Sequence, residues 1–326
     1  MELIAEIGGN HKGNWSQALE LVSDACKSSS DVIKLQLYSA DGLVSKNTDK
    51  IRHEHFKQFE LSKNEYIELF KLIKKSGKKV CASVWDVNML HWALPFIDVV
   101  KIGSGDFTYL PLVLELLSYK KEVIISSGLS TADEVDKVMG FIQSNVTEEY
   151  FCSNITLMQC TSMYPIPHKE ANLEVINSFK QKYDCKIGYS DHTMGIDALK
   201  TAIAIGVDSV EFHYTLNKAD NSFRDNLVSL ERLEVEKLKL FISNIDTLKG
   251  SKQKKPTDSE ISSNHVYSFR RGCYAKRDLS KGEVIKSSDI MFLRPHGPGC
   301  LSPLYFDSKL KTYVVTSDVK KGEVII

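Results

Sequence analysis

A chain of 326 residues, 42% hydrophobic and 26% charged, has the composition of an ordinary globular protein. It is long enough for one barrel of about 250 residues and a small appendage. Its 42 Lys+Arg balance 42 Asp+Glu, so it lacks the basic footprint of a nucleic-acid binder, although a phosphate site needs only a few local cations. No apolar run approaches the roughly 18–20 residues that span a bilayer. Seven scattered cysteines, odd in number and without a Cys-x-x-Cys pair, read as reduced thiols of a cytoplasmic protein rather than a disulfide frame.

The N-terminal Met1-Glu2-Leu3-Ile4-Ala5-Glu6 has no basic region or long apolar core, so no signal peptide is expected. Strands are predicted at 2–7, 31–37, 79–84, 97–102, 122–126, 155–160, 186–189 and 208–212. These are near-continuous apolar runs, as parallel strands covered on both sides require. Helix-length segments lie between them. In 15–28, Leu19, Leu21, Val22 and Cys26 form the predicted buried face. In 63–76, Tyr66, Leu69, Phe70 and Ile73 recur at helical spacing. Ser130-Thr131-Ala132-Asp133-Glu134 reads as a capped helix start. The run 231–248, with Leu233, Leu238, Leu240, Phe241, Ile245 and Leu248, closes the series.

Eight strand–helix pairs predict an α/β chain folded as a (β/α)8 TIM barrel over residues 1–248. The competing doubly wound sheet would carry a dinucleotide fingerprint after its first strand, which Gly8-Gly9-Asn10-His11-Lys12-Gly13 does not match. Residues 249–264 are polar and read as a linker. A compact unit of residues 265–326 follows. In it, Asp278-Leu279-Ser280-Lys281-Gly282-Glu283-Val284-Ile285 is echoed by Asp318-Val319-Lys320-Lys321-Gly322-Glu323-Val324-Ile325, each a Lys-Gly turn entering a predicted strand. So small a unit is marginal unless it docks on another surface.

Function on a barrel belongs at the carboxyl ends of the strands. The polar residues there are Glu6, Asn10, His11, Lys34, Gln36, Ser83, Asp86, Lys101, Ser104, Asp106, Ser126, Ser127, Thr161, Ser162, Tyr164, Ser190, Asp191, His192, Glu211 and His213. Lys34 and Lys101 sit inside apolar strands, where an unpaired ammonium costs several kcal/mol. They are either paired with structural carboxylates, or part of an anion cradle with neighbouring hydroxyls and the Gly103-Ser104-Gly105 amides, or, for Lys101, a Schiff-base nucleophile. His192 and His213 fall at adjacent strand ends, where two neutral imidazoles hold a divalent metal with open positions for water and substrate. The alternative is two unrelated polar histidines, and the pair alone does not separate the two.

Several ordered motifs resemble the sialic acid synthase family, which includes N-acetylneuraminate, legionaminate and pseudaminate synthases. They are Ala5-Glu6-Ile7-Gly8-x-Asn10-His11-x-Gly13, Lys34-x-Gln36, Lys101-Ile102-Gly103-Ser104-Gly105, Ser127-Gly128, Cys160-Thr161-x-x-Tyr164-Pro165 and Tyr189-Ser190-Asp191-His192-Thr193. The likeness runs from residue 2 to the end, and the C-terminal unit resembles the family's antifreeze-like (SAF) domain, with Arg294-Pro295 in place. The resemblance implies condensation of phosphoenolpyruvate with an open-chain N-acylated amino sugar, giving a nonulosonic acid and phosphate. It also implies a divalent metal (Mn2+ or Mg2+) and a domain-swapped homodimer.

Carried onto this chain, the resemblance makes His192 and His213 the metal ligands. Lys34, Lys101, Ser104, Ser126, Ser162, Tyr164 and Ser190 would line the phosphoenolpyruvate site, and Glu6, Gln36 and Asp225 would face the sugar. Ser83 would replace a threonine and Arg294 would reach the partner's sugar site, while the reaction chemistry itself makes Glu211 the candidate for handling a water proton. The chain departs from the family pattern at several points. Asp106 stands for a usual glutamate, Ser162 for a frequent asparagine, Ala82-Ser83-Val84-Trp85-Asp86 for Ser-Thr-Pro-Phe-Asp, and Phe212 for a basic residue. Asn221-Ser222-Phe223-Arg224-Asp225-Asn226 replaces Gly-Pro-Asp-His, bringing the cation of Arg224 beside the sugar pocket. A different or more acidic acceptor is compatible with that change. The rivals are a metal-independent aldolase using Lys101 and a non-catalytic carbohydrate-binding relative. His53, His55, His91, His168, His265 and His296 read as surface or loop residues, and Trp15, Trp85 and Trp92 as packing anchors.

Overall fold

The computed structural model describes residues 1–220, 223–305 and 313–326. It divides into two compact units, Met1–Lys249 and Gly250–Ile326. Of the departures noted above, Asn221 and Ser222 lie outside the described residues.

The first unit is a closed barrel of eight parallel strands: β1 Glu2–Ile7, β2 Val32–Leu37, β3 Lys79–Val84, β4 Val99–Ile102, β5 Glu122–Ser126, β6 Ile155–Cys160, β7 Lys186–Asp191 and β8 Ser209–His213, with β8 pairing back onto β1. Helices follow the strands, making a (β/α)8 barrel. The apolar runs conceal a period of two. Residues such as Leu3, Ala5, Ile33, Leu35, Val80 and Val100 pack outward against the helices. Ile4, Val32, Cys81, Val99, Ile124 and Met158 form a separate cluster inside the barrel. Two residues further along six of these strands, on the same inward face, stand Glu6, Lys34, Ser83, Lys101, Ser126 and Cys160. An apolar plug thus closes the barrel below a layer that is almost wholly polar.

Helix starts are set by local chemistry. Asn14 accepts from the Gln17 amide, while Ser62 with Glu65 and Thr131 with Glu134 form capping boxes before Lys63–Lys75 and Ala132–Asn145. Two predicted helix faces are corrected. In Trp15–Lys27 the buried face is Ala18, Leu21, Val22 and Ala25, and Leu19 is exposed. In Arg232–Lys249 only Val235 and Leu238 are buried, Phe241 and Ile245 pack partly, and Leu233, Leu240 and Leu248 face outward. A histidine is corrected too. His53 is buried in the helix Lys50–Lys57, 2.7 Å from Asp41.

Within the second unit, β9 Gly272–Ala275 and β10 Ile290–Leu293 pair antiparallel over a small core of Cys273, Ala275, Leu279, Ile285, Ile290, Val315, Val319 and Ile325. The echoed phrases do turn at Gly282 and Gly322, both at φ 88°, a left-handed conformation suited to glycine. They do not continue into strands. Isolated bridges take their place, with Leu279 and Val319 exchanging both backbone hydrogen bonds at 2.9 and 3.0 Å. The polar stretch expected as linker holds a short helix, Asp258–Ser262, capped by Thr257.

Candidate active site

Strand register assembles the polar layer. Glu6 lies beside Lys34 on β2 and beside His213 on β8. Ser83 pairs with Lys101, and Ser190 with Glu211. Lys101 Nζ donates to both Glu211 oxygens at 2.6 and 2.7 Å. Lys34 Nζ donates to Glu211 at 2.8 Å and lies 2.6 Å from Glu6. Ser190 Oγ adds a third donor to Glu211 at 3.0 Å, and Gln36 donates to Glu6. All four charged groups are buried.

The carboxylate pairing left open for the lysines is present, and the expectation for Glu211 changes. The lysines are not free cations, since each is held by a carboxylate. Each ammonium has three donors, and two of those on Lys101 go to Glu211. Glu211 is also a poor base. Burial would raise its pKa, but Lys101 and Lys34 outweigh that and hold it far below the ordinary carboxylate value. Its hydrogen bonds tie the two ammonium groups to one carboxylate. Burial pushes Lys34 down, but Glu211 and Glu6 outweigh it and keep the ammonium firmly protonated. At Lys101 burial wins, and its pKa falls below the ordinary value despite Glu211.

The hydroxyls converge on the same end. Ser126 Oγ is buried without a partner among the described residues, an unmet donor inside the barrel. A Cβ on Gly128 would fall 2.6 Å from the hydroxyls of both Ser104 and Ser162, so the missing side chain leaves room for the pair. A cleft lined in part by Ser127, Ser130, Thr161 and Ser162 opens beside them.

His192 follows β7 and His213 ends β8, with ring centroids 5.3 Å apart. The turn that presents His192 is built by Asp191, which accepts from the Tyr189 hydroxyl and from the Thr193 amide and hydroxyl at 2.9–3.0 Å. His192 Nδ1 lies 2.8 Å from the Thr161 carbonyl. As the donor there it leaves Nε2 with the lone pair. Among the described residues His213 Nδ1 is buried with no hydrogen bond, 3.8 Å from Asp225 Oδ2, and Asp225 Oδ1 also lacks a hydrogen-bond partner. Burial lowers the pKa of His213, against Glu6 and Asp225, and favours the neutral ring. A neutral ring with an unmet nitrogen beside a carboxylate suits a divalent cation. Among the described residues no group of three or more His, Cys, Asp or Glu side chains forms a ligand cluster, so such an ion would depend on two imidazoles plus water or substrate.

Sequence reasoning named Tyr164 and Asn10 as site residues, but not the contacts they make. The Tyr164 ring lies 4.1 Å from that of His192 and 5.6 Å from that of His213, and Cys160 Sγ is 3.9 Å from His192 Nδ1. Asn10 Nδ2 donates to Asn226 Oδ1 at 2.8 Å and to Ser229 Oγ at 3.3 Å, tying the turn after β1 to the loop after β8. His11 is structural. Its Nδ1 accepts from the Gly13 amide at 3.1 Å, and burial pushes its pKa to about 4. Asp106 is half-buried, its carboxyl raised by burial. Trp85 stacks on Tyr38 at 5.3 Å. Arg294 is an exposed residue of the second unit, directly after β10. No helix among the described residues is long and apolar enough to cross a membrane.

The family model that matches is described as the NeuB family and covers residues 21–254. The chain is 31% identical to N,N'-diacetyllegionaminic acid synthase of Legionella pneumophila, over 90% of this chain and 85% of that one. It is 27% identical to a pseudaminic acid synthase of Campylobacter jejuni, over 99% and 94%. Among solved structures, the N-acetylneuraminic acid synthetase of Leptospira borgpetersenii, in complex with citrate, superimposes with a TM-score of 0.71 at 28% identity, over 81% and 90%.

Proposed function

Because the chain belongs to the NeuB family, we propose that it condenses phosphoenolpyruvate with an open-chain N-acylated amino sugar, giving a sialic-type nonulosonic acid and phosphate. The observation that carries this reading is the pairing, at one barrel mouth, of the two imidazoles with a buried Lys34–Glu211–Lys101 network.

His192 and His213 would hold the divalent cation, Mn2+ or Mg2+. When bound, it supplies Lewis-acid polarisation of the sugar aldehyde. The ammonium donors not taken by Glu211 and Glu6, together with the hydroxyls of Ser104, Ser126, Ser162 and Ser190, would grip the anionic substrate. The enol carbon attacks the aldehyde carbon and forms the new C–C bond. Water adds to the electron-poor neighbouring carbon, and the tetrahedral intermediate expels phosphate. Fixing both reactants in register removes much of the entropic cost of their encounter. Tyr164 lines the phosphoenolpyruvate side with those ammonium and hydroxyl groups, Ser83 adds a substrate-binding hydroxyl, and Glu6, Gln36 and Asp225 face the sugar. The second unit acts as an SAF-type domain exchanged within a cytoplasmic homodimer, with Arg294 supplied to the partner's sugar site.

The test is to incubate the protein with phosphoenolpyruvate, manganese and a panel of N-acyl hexosamines, measuring phosphate release and product mass. His192→Ala and His213→Ala each abolish turnover, and added metal rescues neither. Sugar binding without phosphate release would sink the reading. So would borohydride trapping of Lys101 with a keto substrate in chelator-insensitive enzyme.

A further inference from the structure

Arg224 carries a charge that the condensation above does not use. It precedes the short helix Asp225–Val228, and its side chain is 68% exposed. One edge of the guanidinium faces Asp225, Nε to Oδ1 at 3.5 Å, and its terminal nitrogens have no carboxylate partner among the described residues. The guanidinium lies over the Tyr164 ring, 5.3 Å from its centroid. That ring in turn sits against His192. The cation therefore stands one aromatic ring away from the imidazole pair.

The backbone beneath it is anchored. A Cβ on Gly9 would lie 2.5 Å from the Phe223 ring, so that ring closes directly onto the turn after β1 and packs against Phe59 at 5.3 Å. On the other side Asn226 Oδ1 accepts from Asn10 and Thr215 at 2.8 and 2.9 Å. A planar fork held on an aromatic face has already lost much of its conformational freedom and matches a phosphate or carboxylate with two parallel hydrogen bonds. An ordinary solvated surface arginine has no such support.

We propose that Arg224 reads an anionic group, a phosphate ester or a carboxylate, at the end of the acceptor sugar remote from its aldehyde, so that a charged amino sugar is preferred to a neutral one. This rests on the condensation reading. The test compares kcat/KM for a neutral N-acyl hexosamine, the same sugar phosphorylated at its terminal carbon, and the sugar oxidised there to a carboxylate, in wild type, Arg224→Gln and Arg224→Lys. Wild type favours one of the charged acceptors, and which one identifies the anion. Arg224→Gln lowers the charged-to-neutral ratio by roughly 10–100-fold, mainly through KM, and Arg224→Lys falls between because it keeps the charge but loses the fork. An unchanged ratio in Arg224→Gln, with turnover intact, overturns the role of Arg224 and leaves the condensation standing. Phosphate release with no acceptor at all overturns both.

Discussion

Glu211 decides the character of the site. Its carboxylate compensates two buried ammonium groups. Removing one partner of a buried ion pair costs about 3–5 kcal/mol, whereas replacing a whole pair by apolar groups of similar volume is often near neutral. Glu211→Gln is therefore expected to lower unfolding stability by about 3–5 kcal/mol, and Lys101→Met combined with Glu211→Leu by much less, as read from urea denaturation. Equal losses would place the cost elsewhere. The pH dependence follows from the shifts. Burial would raise Glu6, but Lys34 outweighs it and holds its pKa below the ordinary 4.5, so its contribution is complete above that value and is lost as pH falls through the folded-state pKa. Lys34 is shifted the opposite way, so its contribution is complete at neutral pH and is lost only as pH rises beyond the ordinary lysine range. Stability should then begin to fall as pH drops below the ordinary histidine value of 6.5, because burial holds His11 at about 4, and its further carboxylate limb should be shallower in Glu6→Gln than in wild type. Residue identity made the lysines conspicuous in the sequence. It did not reveal their partner, because Glu211 is separated from Lys34 by 177 positions and from Lys101 by 110.

At the scale of elements, strand position was legible because eight apolar runs punctuated by helix caps leave little freedom in where strands begin. Register was not, and register brings Glu6, Lys34 and His213 side by side. Small residues in the barrel wall help to fix it. A Cβ on Gly188 would fall 2.8 Å from Ser209 Oγ and 2.9 Å from the Met158 side chain. Gly188→Ala should destabilise the barrel by about 1–3 kcal/mol through overpacking, measured as a lower thermal midpoint. Ser209→Gly in the same chain should recover part of the loss, and no recovery would show that Ser209 is not the obstruction. Helix faces were misread where the count of leucines outran the period. Leu233, Leu240 and Leu248 recur near multiples of seven along Arg232–Lys249, yet the barrel takes the face marked by Val235 and Leu238. A helix with apolar residues on two faces offers no local signal for choosing between them.

For the whole molecule, the proposed exchange of the second unit makes a sharp prediction. If Arg294 serves the partner's site, Arg294→Ala raises the KM of the sugar more than that of phosphoenolpyruvate. Co-refolding Arg294→Ala with His213→Ala should then restore activity, because one of the two sites in each mixed dimer combines an intact barrel with an intact arginine. Random pairing would return about a quarter of wild-type activity. No recovery, in a dimer shown to have mixed, would mean that Arg294 acts within its own chain or not at all.

The sequence by itself determined the eight strand–helix pairs, the small C-terminal unit and the chemical inventory at the strand ends, because periodicity, capping residues and buried charges are local properties. Closure of the sheet decided which of those residues meet. Inward-facing side chains from distant strands share one layer only after the barrel is complete, and only then do the lysines find Glu211, His213 find Asp225, and Arg224 find the ring of Tyr164.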